Sequence, residues 1–183
     1  MGEPKQLLPW KNTFLLNHVI DMALDLRPTS TFVVLGANFD SIKSRIQNCA
    51  VTIIHNKNWD VGLGTSIASG IKLIKAQDVF DAALIILADQ PLIDHNFLLK
   101  FITGYNNDDR QIIASSYENG SFGVPALFDK YYFDELIDLS QDKGAKNIMV
   151  KHESFIELIN SNHLISDIDT MDDYEELYRA NHQ

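Results

Sequence analysis

Short β-rich apolar runs recur along the chain with helical stretches between them, the alternation that builds a βαβ sheet covered on both faces. Thr31–Leu35 (TFVVL) is apolar and β-branched and stops at Gly36, while Val51–His55 (VTIIH) stops at polar Asn56. Both read as buried parallel strands. Residues 82–87 (AALIIL) form the most hydrophobic short run and end in Ala88-Asp89-Gln90-Pro91, where proline forbids further ladder bonding; the pattern predicts a central strand. Weaker strand signals lie at 111–115, 122–128, 155–159 and 164–168, beside polar or Gly-containing turns.

Helical spacing is clearest over 13–26, where Leu15, Leu16, Val19, Met22, Ala23 and Leu26 form one stripe, and over 94–105 and 133–139. Asp40, Asp94 and Thr170 each stand where an N-cap belongs, before helices at 41–47, 95–101 and 171–178. No internal repeat and no Pro/Gly/Ser-rich linker interrupts the pattern, so residues 1–183 are expected to form one α/β domain.

Composition narrows the function. With 45% hydrophobic and 22% charged residues, the 183-residue chain has apolar area enough for a sizeable core. Fifteen Lys+Arg against 25 Asp+Glu give a formal charge of −10, which repels polyphosphate backbones and argues against nucleic acid as a partner. Any anionic ligand then needs local cations, backbone amides or a divalent metal. The single Cys49 cannot form an internal disulfide, no Cys/His cluster has zinc spacing, and no apolar run is long enough to span a bilayer. A reducing, cytoplasmic setting without membrane association is the expectation. The histidines, His18, His55, His95, His152, His163 and His182, are scattered without metal spacing.

In open α/β sheets ligands collect at the carboxyl ends of strands, so polar residues directly after an apolar run carry weight. Asp89 is the first of these: after AALIILA it is suited to coordinate a hard divalent cation bridging phosphate oxygens, and equally suited to cap the turn into the next helix. Asp167 and Asp169, in Ser166-Asp167-Ile168-Asp169-Thr170, end another strand-like run, and only one of them need face Asp89; capping of the following helix is the competing role. Residues 58–70 (NWDVGLGTSIASG) lead from a loop into a helix, with Gly64 allowing backbone amides to approach a ligand and Thr65 and Ser66 offering hydroxyls. The spacing matches neither a P-loop nor a dinucleotide fingerprint, and a tight turn explains it as well. Lys5, in the proline-stiffened segment GEPKQLLPW, is placed to hold a phosphate or simply to be solvated.

Taken in order, MGEPKQLLPW, NKNWDVGLGTSIASGI, LADQPLI, SFGVPALF with DKGAKNIM, and DIDTMDDYEEL resemble the MobA-like nucleotidyltransferases, in the branch that includes the molybdenum cofactor cytidylyltransferases. Met171 stands where the family's closing motif has proline. The resemblance runs along nearly the whole chain. It implies a Rossmann-like three-layer fold with a mostly parallel sheet, and transfer of a nucleotidyl group from an NTP, CTP or GTP, to a molybdopterin-type cofactor. It further implies Mg²⁺ held by Asp89 with an acid of the Asp167/Asp169 pair, Lys5 on the triphosphate, and Gly64, Thr65 and Ser66 near the base. A molybdenum hydroxylase or its chaperone is the partner class that goes with such a product. The family carries a first strand and a loop of the form L-A-A-G-x-S-x-R before M-G-x-P-K, whereas Met1 here already occupies that methionine. The expectation is therefore a sheet lacking one strand and its phosphate loop, through an upstream start, a truncated gene or a strand supplied by a partner.

Overall fold

In the computed structural model, residues 4–107, 110–117, 119–140, 144–162 and 164–182 are described. His163 and the Asp142-Lys143 start of DKGAKNIM lie outside them. A short hairpin, β1 (Pro9–Trp10) and β2 (Thr13–Phe14), leads into α1 (Leu15–Asp25). Then follow β3 (Thr31–Leu35), α2 (Phe39–Lys43), β4 (Val51–His55), α3 (Leu63–Gln77), β5 (Ala82–Ile85) and α4 (His95–Gly104). The chain continues through β6 (Ile112–Ser116), β7 (Phe122–Asp129), α5 (Phe133–Ile137), α6 (Lys146–Lys151), β8 (Ile156–Asn160) and α7 (Met171–Asn181).

The main strands form two sheets. β3 and β4 pair in parallel, Thr31 beside Val51 through Leu35 beside His55, and the other four strands run in the order β5-β7-β6-β8. β7 is antiparallel to both neighbours and β6–β8 is parallel, so the sheet expected to be mostly parallel is mixed. The reason is local: β6 returns as β7 through a tight turn in which the amide of Tyr117 donates to Ser121 O at 2.8 Å, and a hairpin makes adjacent strands antiparallel. The segment expected to be a central strand, 82–87, is instead the short edge strand β5, because among the described residues it pairs only with β7. Its uninterrupted apolar sequence, and that of β3, suit strands covered on both faces.

Two helices tie the sheets together. On one face α1 packs Leu16 and Ile20 against Val33 and Leu35 of β3, and Val19 and Met22 in a cluster with Leu127 of β7, Ile113 of β6 and Phe97 and Phe101 of α4. On the other face α3 packs Ile71 with Ala83, Phe128 and the buried face of α5, while Gly70 lies against Val34. Sheet ends therefore keep a fixed relation although no backbone ladder joins β3 to β5 among the described residues.

Several boundaries differ from the sequence pattern. The 13–26 stripe gives its first two residues to β2, since Leu15 N–H donates back to Leu8 O and closes the hairpin. Asp40 is not the cap of the second helix; Asn38, in the left-handed conformation (φ 57°), precedes it and Asp40 sits in its first turn. Asp94 and Thr170 do cap as expected: Asp94 accepts from Phe97 N–H at 2.7 Å, and Thr170 and Asp173 form a reciprocal capping box. Residues 164–168 are irregular rather than a strand.

Candidate nucleotidyl-transfer site

The segment 4–8 is a single 3-10 turn, with Leu7 N–H donating to Pro4 O at 2.9 Å and Leu8 N–H to Lys5 O at 3.1 Å. Leu7 and Leu8 are buried in two different clusters, one under β3 and one under α7, so the turn is nailed at its end and Lys5 is left to project. Its ammonium donates to Asp89 Oδ2 at 2.7 Å and to Ile168 O at 3.2 Å, and lies 3.8 Å from Asp169 Oδ1. Ile168 N–H in turn donates to Asp89 O at 3.0 Å. Three segments distant in sequence thus meet beyond the end of β5.

Asp89 has one oxygen committed and one not: among the described residues, Oδ1 is buried without a hydrogen-bond partner. A buried carboxylate oxygen left unpaired costs free energy, and a carboxylate oxygen is the donor that a hard divalent cation prefers. The side chain is 20% exposed against 77% for Asp169, so Asp89 is the sheltered member and Asp169 the solvent-facing one. Residues two apart on a strand share a face, but 164–169 is not a strand, and the two acids go to different partners. Asp167 Oδ1 accepts from Gln90 Nε2 at 2.8 Å, while Asp169 turns to Lys5. The structure therefore brings Lys5, Asp89 and Asp169 together and holds Asp167 beside Gln90; among the described residues no three acidic, His or Cys side chains converge on a common metal position.

Residues 58–70 form the second part. Gly62 has φ 127°, which a residue with a side chain rarely adopts, and it precedes α3 directly. Gly64 is buried in the first turn of that helix. Buried Asn56, at the end of β4, organises this corner: its Nδ2 donates to Thr65 Oγ1 at 2.8 Å and Ser66 Oγ at 3.0 Å, and its Oδ1 accepts from Asn58 N–H at 3.0 Å. Thr65 Oγ1 also lies within hydrogen-bond distance of Asn58 O and Gly62 O. Thr65 thus fastens the loop to the helix. Asn56 was marked in the sequence only as a strand end; the rule that singled out Asp89, a polar residue directly after an apolar run, applies to it equally.

The third part is built around buried Gln90, which also reaches Val124 O at 3.4 Å. Tyr117 donates its hydroxyl to the same Val124 carbonyl at 2.8 Å, next to the cis Val124-Pro125 peptide. Burial, and after it the Asp167 charge, push the Tyr117 phenol up to about 12, so it remains a donor. A Cβ on Gly123 would collide with the Tyr117 hydroxyl, which accounts for the glycine of Gly-Val-Pro. No sequence signal pointed to Tyr117.

Comparison with known proteins gives the family and the fold. The model of the MobA-like NTP transferase domain matches residues 1–155. The chain belongs to that family. It is 26% identical over 175 residues to the molybdenum cofactor cytidylyltransferase of Escherichia coli (strain K12), covering 95% of this chain and 86% of that protein. Among solved structures, the Mycobacterium sp. strain JC1 homolog of M. tuberculosis Rv0371c superposes with TM-score 0.81 at 26% identity, over 98% of this chain and 89% of that one. Rv0371c of M. tuberculosis H37Rv itself superposes with TM-score 0.85 at 23% identity, over 98% and 91%. The nucleotidyltransferase fold expected from the sequence is the fold of this chain. No helix among the described residues is long and apolar enough to cross a membrane.

Proposed function

We propose that this chain transfers a nucleotidyl group from an NTP, CTP in preference to GTP, to the terminal phosphate of a molybdopterin-type cofactor. An acceptor phosphate oxygen attacks the α-phosphorus, and the bond to the bridging oxygen breaks to release pyrophosphate. The observation that carries the reading is the Lys5–Asp89 pair with Asp89 Oδ1 left unpartnered, in a chain of the MobA-like family. The preference for CTP and for a molybdopterin acceptor rests on the E. coli relative, a molybdenum cofactor cytidylyltransferase.

Phosphoryl-type transfer needs positioning and charge stabilisation more than protein nucleophiles. Lys5 supplies a cation on a stem whose base is fixed by Leu7 and Leu8, so it can follow the triphosphate without the backbone moving. Asp89 is the residue suited to hold Mg²⁺, with Asp169, the other carboxylate that approaches Lys5, as the second acid. Bound there, the ion would neutralise charge on the triphosphate and polarise the α-phosphate. The amides at the start of α3, set by Gly62 and fastened by Asn56 and Thr65, are placed for the nucleoside end. Gln90, Tyr117 and the Gly123-Val124-Pro125 segment line up beside Asp167 as an ordered polar wall on the acceptor side.

Calorimetric titration with CTP and with GTP, each with Mg²⁺, tests the reading. Magnesium-dependent binding of CTP tighter than GTP supports it; binding of neither nucleotide overturns it. Binding with turnover only on another phosphorylated acceptor would reassign the acceptor alone.

A further inference from the structure

Among the described residues, the polar partners of the Lys5 ammonium are all oxygens: a carboxylate of Asp89, the carbonyl of Ile168 and, farther out, a carboxylate of Asp169. An ammonium has three donors and no acceptor; two of them make hydrogen bonds, to Asp89 and Ile168, and the 3.8 Å approach of Asp169 adds a longer ion pair. Carboxylate and carbonyl oxygens are also the ligands of a hard divalent cation. We propose that Lys5 closes the cation seat of Asp89 and Asp169 until a triphosphate draws it away, so that divalent metal and nucleotide bind cooperatively. The proposal rests on the nucleotidyl-transfer reading above.

Geometry and charge give the mechanism. A cation taking Asp89 Oδ2 would sit beside an ammonium 2.7 Å from the same oxygen, in a site where Lys5 is 29% and Asp89 20% exposed. At such separations like charges repel strongly unless water screens them. A cation bound through Oδ2 therefore displaces the ammonium, and one bound through Oδ1, the unpartnered oxygen of the same carboxylate, still meets the ammonium at close range, so Lys5 opposes a lone cation by either route. The turn at Lys5–Leu7 is fixed by its hydrogen bonds and by buried Leu7 and Leu8, so what leaves is the four-carbon stem, pivoting at its own Cα. A lone metal ion offers Lys5 no new partner. A triphosphate offers it several anionic oxygens, and offers the cation the ligands that two carboxylates cannot supply. Each ligand then raises the affinity of the other by the same factor, as linkage requires.

The test is Mn²⁺ binding read by electron paramagnetic resonance, with no turnover involved, on the wild-type chain, Lys5→Met, Lys5→Arg and Lys5→Met/Asp89→Asn, each checked for folding by thermal melting. Without nucleotide, Lys5→Met is expected to bind Mn²⁺ about tenfold or more tightly than wild type, a size ordinary for coupled sites. Lys5→Arg, which keeps the charge, should stay closed like wild type. The double variant should lose what Lys5→Met gained. Equal Mn²⁺ affinity of wild type and Lys5→Met, or a gain that survives Asp89→Asn, overturns the proposal. Should Lys5→Met not fold, the wild type decides: corrected for Mn–CTP formation in solution, Mn²⁺ and CTP must each tighten the other by about tenfold or more, and independent binding overturns the proposal. Wild type that binds Mn–CTP while Lys5→Met gains nothing removes the closure and leaves the proposed function standing; wild type that binds neither Mn²⁺ nor CTP removes both.

Discussion

Lys5 and Asp89 stand 84 positions apart in the chain and meet at 2.7 Å, with Ile168 hydrogen-bonded to both. The contact joins the first turn of the described chain, the end of β5 and the entry to α7 in one place. Asp89→Asn keeps the shape and removes the charge. Turnover is expected to fall by about 10²–10³, the size found when one group stabilising transition-state charge is removed. The melting temperature should move little, because a partly exposed ion pair contributes about 1 kcal/mol or less. Steady-state pyrophosphate release and thermal melts on the same preparation check both halves; unchanged turnover would remove Asp89 from the chemistry.

Asn56 does its work through three neighbours, the hydroxyls of Thr65 and Ser66 and the amide of Asn58. Asn56→Ala removes the acceptor of the Asn58 amide and the donor to Ser66 and Thr65, of which Thr65 keeps Asn58 O and Gly62 O as partners, and should cost about 1–3 kcal/mol in urea unfolding. The loop before α3 loosens with it, so KM for the nucleotide should rise more than kcat falls. A variant of wild-type stability would mean that water replaces the asparagine without loss.

The order of secondary elements was largely legible, because apolar runs and helical stripes repeat with the periods that folding demands. β3, β4, β6, β7 and β8 stand close to where the pattern put them, and Asp94 and Thr170 cap their helices. The place of β5 was not legible. Its apolar sequence speaks for cover on both faces, and only pairing partners, which sequence does not reveal, decide edge from centre. Around the site, Lys5, Asp89 and Asp169 were nameable as candidates, while the choice between Asp167 and Asp169 depended on how an irregular segment turns. Tyr117 and Gln90 act through a carbonyl of a distant hairpin strand, and no local spacing encodes such a contact.

Thr170 closes the capping box that begins α7: Asp173 N–H donates to Thr170 Oγ1 at 3.1 Å, and Asp173 Oδ2 accepts from Thr170 N–H at 2.7 Å. The same carboxylate accepts from Asp169 N–H at 3.3 Å, so the cap also fixes the backbone from which Asp169 reaches Lys5. Thr170→Ala is expected to cost about 1 kcal/mol. Thr170→Ser, which keeps the hydroxyl, should recover most of it; equal melting of the alanine and serine variants would contradict the assignment.

His18 gives a pH signature away from the site. Burial first, and Lys11 second, lower its pKa below 6.5, and its Nε2 lies 3.2 Å from Pro91 O, a contact that the neutral Nε2–H tautomer donates. A group depressed on folding contributes stability that is present above its unfolded pKa and is lost as pH falls through the folded value. Melting temperature should therefore decline on acidification below about pH 6.5, and His18→Gln should flatten that part of the profile. Glu135 is held below the usual carboxylate range, chiefly by Lys151, so its own loss falls below pH 4.5 and is separable. Identical slopes for wild type and His18→Gln between pH 7 and 5 would contradict the reading.

The most direct measurement is transfer of label from α-³²P-CTP to a molybdopterin-type acceptor in the presence of Mg²⁺, run beside GTP and beside Asp89→Asn. The account predicts labelled cofactor and an equivalent of pyrophosphate with CTP, less with GTP, and almost none with the variant. No labelled product from either nucleotide, with the chain folded and the acceptor intact, would contradict it.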